Sequence, residues 1–437
     1  MKLRTFATAA ASVAAVLAVS AAGLYLWVRP AELAPLAHVP AAGTATLVAA
    51  GARVVALGDC MVCHTAAHGP AYAGGRALDT PFGTIYSTNI TPDPDTGIGR
   101  WSPEAFRRAM REGVARDGHL LYPAFPYIHY TRMSDTDIDL AYGYLMSRTP
   151  VRSEAPPNGL VFPLNFRPLL AFWNALYLHP GDAAIPARQD TPLARGRYLV
   201  DTLGHCASCH SGMTALGGER HPPFQGGNID GWDAPALTRL NGGAAPWTQA
   251  ELVDYLSGGL SAAHGAAKGP MRAVTERLAG VPREDVEAIA VYLMSIQSDA
   301  PAHAAAVAAP AVPATATATG TATATSGADA DTRASRLFAG ACAGCHAAPA
   351  PMMRSGGRPA LARSSAVLGE RPDNFILTVL HGIPVDGAAP VYMPPFADTL
   401  SDEQIALLAA YVRSGAGQPA WNAVAQHSAK LRKETHE

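Results

Sequence analysis

Apolar positions recur at helical spacing in three stretches that resemble one another: Ser134 to Ser147, Pro282 to Ser295 and Ser401 to Ser414. Each carries apolar residues three and four apart between acidic and polar positions, a pattern that predicts an amphipathic helix with one buried face. Ser134 and Ser401 are candidate N-caps, with Asp137 and Gln404 three residues on, in the manner of a capping box. The repetition implies three similar units, each closed by such a helix.

Other stretches break the periodicity. Thr5 to Val28 is an uncharged run rich in Ala and Val, preceded by Lys2 and Arg4 and closed by Tyr25, Trp27 and Arg29. It predicts a signal anchor or signal peptide over residues 1–30; the apolar run that continues to an interfacial Trp/Tyr pair favours the anchor. Residues 151–192 are punctuated by proline yet contain the apolar segment Leu160 to Leu178, too apolar for a free linker. They read as a strap packed across the domain junction, with a membrane or partner contact as the alternative. Residues 300–330 are almost wholly Ala, Thr, Pro and Gly, a composition that cannot bury a core and predicts a flexible linker spanning roughly 30 Å. Residues 418–437 read as a polar C-terminal tail.

Composition adds bounds. The chain has 437 residues, enough for several domains, and a formal charge of −2 that excludes nucleic acid as a partner. Charged residues are only 16%, while 41 glycines and 36 prolines point to loop-rich units organised around something other than long helices or sheets.

The cysteines supply that organiser. All six fall in three copies of C-x-x-C-H: Cys60 to His64, Cys206 to His210 and Cys342 to His346. In this pattern the two thiols add to the vinyl groups of a haem and the adjacent His becomes the proximal iron ligand. A zinc site would need its four ligands completed nearby, and a redox-active C-x-x-C needs no His after the second Cys. The expectation is three haem c groups, bound covalently through Cys60, Cys63, Cys206, Cys209, Cys342 and Cys345, with His64, His210 and His346 on iron. A haem-bearing helix, a loop and a closing helix make a class I cytochrome c domain. The fold expected is therefore mainly α: three tandem class I cytochrome c domains at 45–150, 193–299 and 331–417, behind an N-terminal membrane segment. Haem attachment follows export, which places the domains outside the cytoplasm; in a Gram-negative cell that is the periplasmic side of the inner membrane.

An electron carrier fills the sixth iron position with a protein ligand, and a Met thioether gives a higher potential than a second His. Met393, opening Met393-Pro394-Pro395-Phe396 shortly before the third closing helix, is the candidate in the third unit. Met271, after Lys268-Gly269-Pro270, is the candidate in the second. The first unit carries Phe125 at the aligned position, which cannot ligate iron. Two residues of the same loop remain, His129 and Met133. His129 lies nearer the required position and is preferred; Met133 is the alternative.

Several further motifs carry a family resemblance: Ser87-Thr88-Asn89-Ile90-Thr91-Pro92-Asp93, Gly97-Ile98-Gly99-Arg100-Trp101, His119-Leu120-Leu121-Tyr122-Pro123-Ala124 and Met393 to Phe396. From about Pro40 to Gly417 the chain resembles the three-haem cytochrome c subunits of bacterial membrane-bound dehydrogenases. These are associated with alcohol, gluconate, sorbitol or fructose dehydrogenases and with molybdenum hydroxylases. Many such subunits have Met where this chain has Phe125. The N-terminal anchor and the Phe125/His129 pairing look more like the subunits that serve molybdenum hydroxylases. The resemblance implies an electron-transfer subunit rather than an enzyme. Its partner would be a catalytic dehydrogenase subunit of flavin, quinone or molybdenum type, and its acceptor ubiquinone or a terminal oxidase at the inner membrane. The competing expectations are a periplasmic peroxidase-like haem enzyme and a haem subunit of a terminal oxidase.

Overall fold

The computed structural model describes residues 30–181 apart from 42, 190–298, 326–348, 350, 353, 360–384 and 392–434, with side chains from 331 in the last repeat, and isolated positions 16, 19, 20 and 23. The chain forms two compact bodies, Met1–Ala187 and Arg188–Glu437. Both are mainly helical. Among the described residues no helix is long and apolar enough to cross a membrane, and nearly all of the Thr5–Val28 run lies outside them.

In the first body, helix α1 (Ala45–Leu57) starts at Thr44, whose hydroxyl accepts from Leu47 N–H, and ends at Gly58. The strands β1 (Ala77–Thr80) and β2 (Gly83–Tyr86) pair antiparallel, and helix α2 (Pro103–Glu112) follows, capped by Ser102. The closing helix α3 (Asp135–Met146) begins at Ser134, whose hydroxyl accepts from the N–H of Asp137, as the capping pattern anticipates. Helices α1 and α3 cross at Gly51, where a Cβ would meet the Leu140 carbonyl and the Tyr144 side chain. Ile138, Ala141, Tyr142 and Leu145 are the buried face of α3.

The strap is fastened to this repeat along its inner side. Strand β3 (Gly159–Leu160) pairs with β2, and helix α4 (Leu170–Tyr177) inserts Leu170 beside Val114 and Leu120. Arg167 donates to the Leu120 carbonyl at 2.8 Å and lies over the Tyr122 ring. Its outer side is bare: Val161, Phe166 and Leu176 are exposed, Phe162 is 86% exposed and Phe172 72%.

In the second body, helix α5 (Pro192–Tyr198) runs through a π-turn, Leu199–Leu203, towards the second C-x-x-C-H. A hairpin follows, β4 (Gly227–Ile229) with β5 (Trp232–Ala234). Then come helix α6 (Gln249–Gly258), the two-residue strands β6 (Leu260–Ser261) and β7 (Gly265–Ala266), helix α7 (Pro270–Leu278) and the closing helix α8 (Arg283–Ser295). Gly196 repeats the role of Gly51: a Cβ there would meet the Ala288 carbonyl and Tyr292 of α8. Gly196→Val should therefore force the two helices apart at a cost of at least about 1–3 kcal/mol. Thermal unfolding of the variant should begin in this repeat, at lower temperature than in the wild type; an unchanged melting profile would show that the crossing is not close-packed.

The third repeat consists of helix α9 (Ser326–Ala341), α10 (Asp373–His381) and the closing helix α11 (Asp402–Gly415), which has the full reciprocal capping box of Ser401 and Gln404. Its core gathers Phe338, Ile376, Leu377, Leu380, Ile405 and Leu408. Residues 418–437, read above as a polar tail, instead carry helix α12 (Val424–Glu434). Val424 and Leu431 enter the core, and Arg432 binds Asp402 and the Leu400 carbonyl. The composition of 300–330 points to a third repeat that moves independently. Residues 300–325 lie outside the described residues, but the third repeat itself is docked on the second. Asn374 of α10 accepts from the Asp233 N–H and donates to the Asp233 carbonyl, both at 2.8 Å.

Candidate haem sites

Each C-x-x-C-H motif sits at a one-turn helix: Cys60–Cys63, Ala207–His210 and Ala343–His346. In each, the His N–H donates to the carbonyl of the first Cys at 2.9 to 3.0 Å. One helical turn brings residues i and i+3 to the same side, which is why this spacing can present two thiols to one planar group. No two of the six cysteines are joined to each other.

The imidazoles are aimed. His64 Nδ1–H donates to the Thr88 carbonyl at 2.6 Å, and His210 Nδ1–H donates to the Pro235 carbonyl at 2.8 Å. A carbonyl on Nδ1 fixes the tautomer and leaves Nε2 with a lone pair for a metal. Burial lowers the pKa of both rings below the ordinary histidine value, opposed by these same hydrogen bonds, so both favour the neutral form that ligates. Further contacts hold the second site. Gly226 N–H donates to the His210 carbonyl at 2.8 Å, and Gly227 packs on the carbonyls of Cys209 and Ser211.

The thiols behave differently from those of a redox motif. Burial pushes Cys60 up to about 12, with the Asp59 carboxylate adding to it, and pushes Cys206 up to about 12 and Cys342 up to about 11. A reactive C-x-x-C needs the opposite, a thiol lowered towards neutrality. Among the described residues there is also no group of three His, Cys, Asp or Glu side chains arranged to hold a metal ion by themselves. The donor set fits a haem: two unjoined thiols one helical turn apart at each site for thioether bonds, with an oriented imidazole beside them at His64 and His210.

The distal candidates occupy different settings. Met393 is part-buried against the third core, and its N–H and carbonyl are both paired with Ile383 just past α10, at 2.9 and 2.8 Å. Met271 lies in the first turn of α7, after Gly269, whose backbone has φ of 50° and presses against the Trp232 ring. In the first repeat, the Phe125 ring lies against Tyr127 and Tyr130, 6.2 and 5.6 Å between centroids. His129, in the one-turn helix Tyr127–Tyr130, is 4% exposed; Met133, just before α3, is 1% exposed, and its carbonyl accepts from Arg111. Tyr127 hydroxyl donates to Asn174 of the strap at 2.7 Å, so α4 braces the loop that carries both candidates.

Residue-type reasoning missed the carbonyls of Thr88 and Pro235. Thr88 lies inside the Ser87–Asp93 motif, which was the available signal; Pro235 had none, because any residue supplies a main-chain carbonyl.

A family profile described as "Cytochrome C oxidase, cbb3-type, subunit III" matches residues 329–412, the third repeat. A nicotinate dehydrogenase subunit of Pseudomonas putida is 46% identical over 92% of this chain, which spans only 33% of that relative's length. The fructose dehydrogenase cytochrome subunit of Gluconobacter japonicus is 32% identical, covering 91% of this chain and 84% of its own. The gluconate 2-dehydrogenase cytochrome c subunit of Pantoea cypripedii is 36% identical, covering 89% and 90%.

Proposed function

Because the chain belongs to the family of the cytochrome c subunits of dehydrogenases, we propose that it is the electron-transfer subunit of a dehydrogenase complex, carrying three covalent haem c groups. Bound haem supplies one-electron storage at each site. The chain's own residues would hold it: Cys60, Cys63, Cys206, Cys209, Cys342 and Cys345 would form the thioether bonds, His64, His210 and His346 would be the proximal ligands, and Met271, Met393 and His129 (Met133 as the alternative) the distal ones. A protein ligand on both faces leaves iron no position for substrate. Such a site holds and releases electrons without bond chemistry. The observation that carries this reading is the pair of Nδ1–carbonyl hydrogen bonds, His64 to Thr88 and His210 to Pro235, which present the same imidazole nitrogen at two separate C-x-x-C-H turns.

Electrons would enter from a catalytic subunit of flavin, quinone or molybdenum type and leave to ubiquinone or a terminal oxidase. The high similarity to a nicotinate dehydrogenase subunit favours a partner that oxidises an N-heterocycle. The three repeats would be class I cytochrome c domains on the periplasmic side of the inner membrane, held there by the 5–28 run. Purifying the native complex should recover a larger catalytic subunit, with a non-haem cofactor that substrate reduces before the haems. Recovery of the chain alone with peroxide turnover, or only with a terminal oxidase, would replace this reading.

A further inference from the structure

The third repeat touches the second on both sides of the site that holds His210. On the proximal side, the β4–β5 hairpin carries the His210 contacts at its base: Gly226 just before β4, Gly227 at its start, and Pro235 just past β5. Further along, the same hairpin is gripped by the third repeat. Asn374 takes both main-chain groups of Asp233, Arg371 lies 3.8 Å from the Asp233 carboxylate, and Gly231 approaches Leu377 and Leu431. On the distal side, Ser365 of the third repeat donates its N–H to the His264 carbonyl at 3.2 Å, in the β6–β7 turn that precedes Met271. Trp232 joins the two sides. Its ring packs against the third repeat's core and also against Gly269, where a Cβ would lie 2.7 Å from the indole nitrogen.

We propose that the third repeat is a structural part of the second haem pocket: Asn374 and Trp232 are positioning residues that hold the His210 hairpin and the Met271 loop at their working separation. A side-chain amide paired with both main-chain groups of one residue is directional in a way apolar packing is not. It sets the hairpin's register against α10, and through Pro235 the direction of the His210 ring. The second haem would then reach its working potential only while the third repeat is docked, so a second and third haem would act as one paired element. This extends the electron-transfer reading above and rests on its assignment of haem to the second motif.

The test uses the full-length, haem-loaded protein with a protease site inserted between residues 300 and 325. After cleavage, the two fragments of the otherwise unaltered chain should co-elute, with the second haem's reduction potential unchanged. In cleaved Asn374→Ala the fragments should separate, the second haem's potential should shift, and its ferrous form should gain carbon monoxide binding towards one equivalent. Asn374→Asp, which keeps the acceptor and loses the donor, should fall between, and an unaltered third-haem spectrum checks that α10 remains folded. Separation without the substitution, co-elution of the cleaved Asn374→Ala fragments, or separation with an unchanged second-haem potential would each overturn the proposal. Met271→Leu in the uncleaved chain keeps the two readings apart. A retained sulfur-to-iron band at the second haem would remove Met271 as ligand while the docking and potential results stood.

Discussion

Replacing Cys206 and Cys209 together with Ala should leave an exported protein whose mass is lower by one haem, against three haem additions in the wild type. The loss should be complete because the second site has no other thiol: the six cysteines are fully divided among three turns. His210 alone, although oriented by Pro235 and Gly226, would retain haem only by coordination, and such haem is lost in denaturing mass measurement. Under the proposed function, electron transfer through the complex should fall to a small residue. A wild-type mass lacking any one of the three additions would end the three-haem assignment.

The next largest effect is expected at the first haem. With His129 on iron, the oxidised protein should show sulfur-to-iron charge-transfer absorption for two haems rather than three, and His129→Ala should open that iron to carbon monoxide. Met133→Leu conserves volume at a site 1% exposed, so it should cost less than about 1.5 kcal/mol and leave the spectrum nearly unchanged. The opposite pair of results would make Met133 the ligand. Stoichiometric carbon monoxide binding by the wild type at this haem, with peroxide turnover, would move the protein to the peroxidase class.

The fold was legible where chemistry or periodicity is local. C-x-x-C-H must be contiguous because one helical turn presents both thiols, so the three copies were legible as three such turns without any tertiary knowledge. The closing helices were legible because their apolar stripes repeat and because Ser134 and Ser401 stand at their starts; each hydroxyl accepts from the N–H three residues on, and at Ser401 the full capping box forms. Helix α12 was hidden because residues 418–437 are polar on average. Val424 and Leu431, seven apart, with Trp421 just before the helix, mark the stripe that reaches the core.

The sequence by itself determined the three C-x-x-C-H turns, the order of the repeats and the helices that close them, since all of these depend on residue type at short spacing. Tertiary structure decided what orients each site. The carbonyls of Thr88 and Pro235 reach His64 and His210 across 24 and 25 residues, and a main-chain carbonyl carries no residue-type signature. Gly51 and Gly196 are ordinary glycines until a helix crosses them at van der Waals contact. Asn374 becomes a clamp only because α10 places it, from 141 residues away, opposite both main-chain groups of Asp233. A linker composition describes the freedom of the linker, whereas the position of the third repeat is set by the surfaces it buries and the hydrogen bonds it completes.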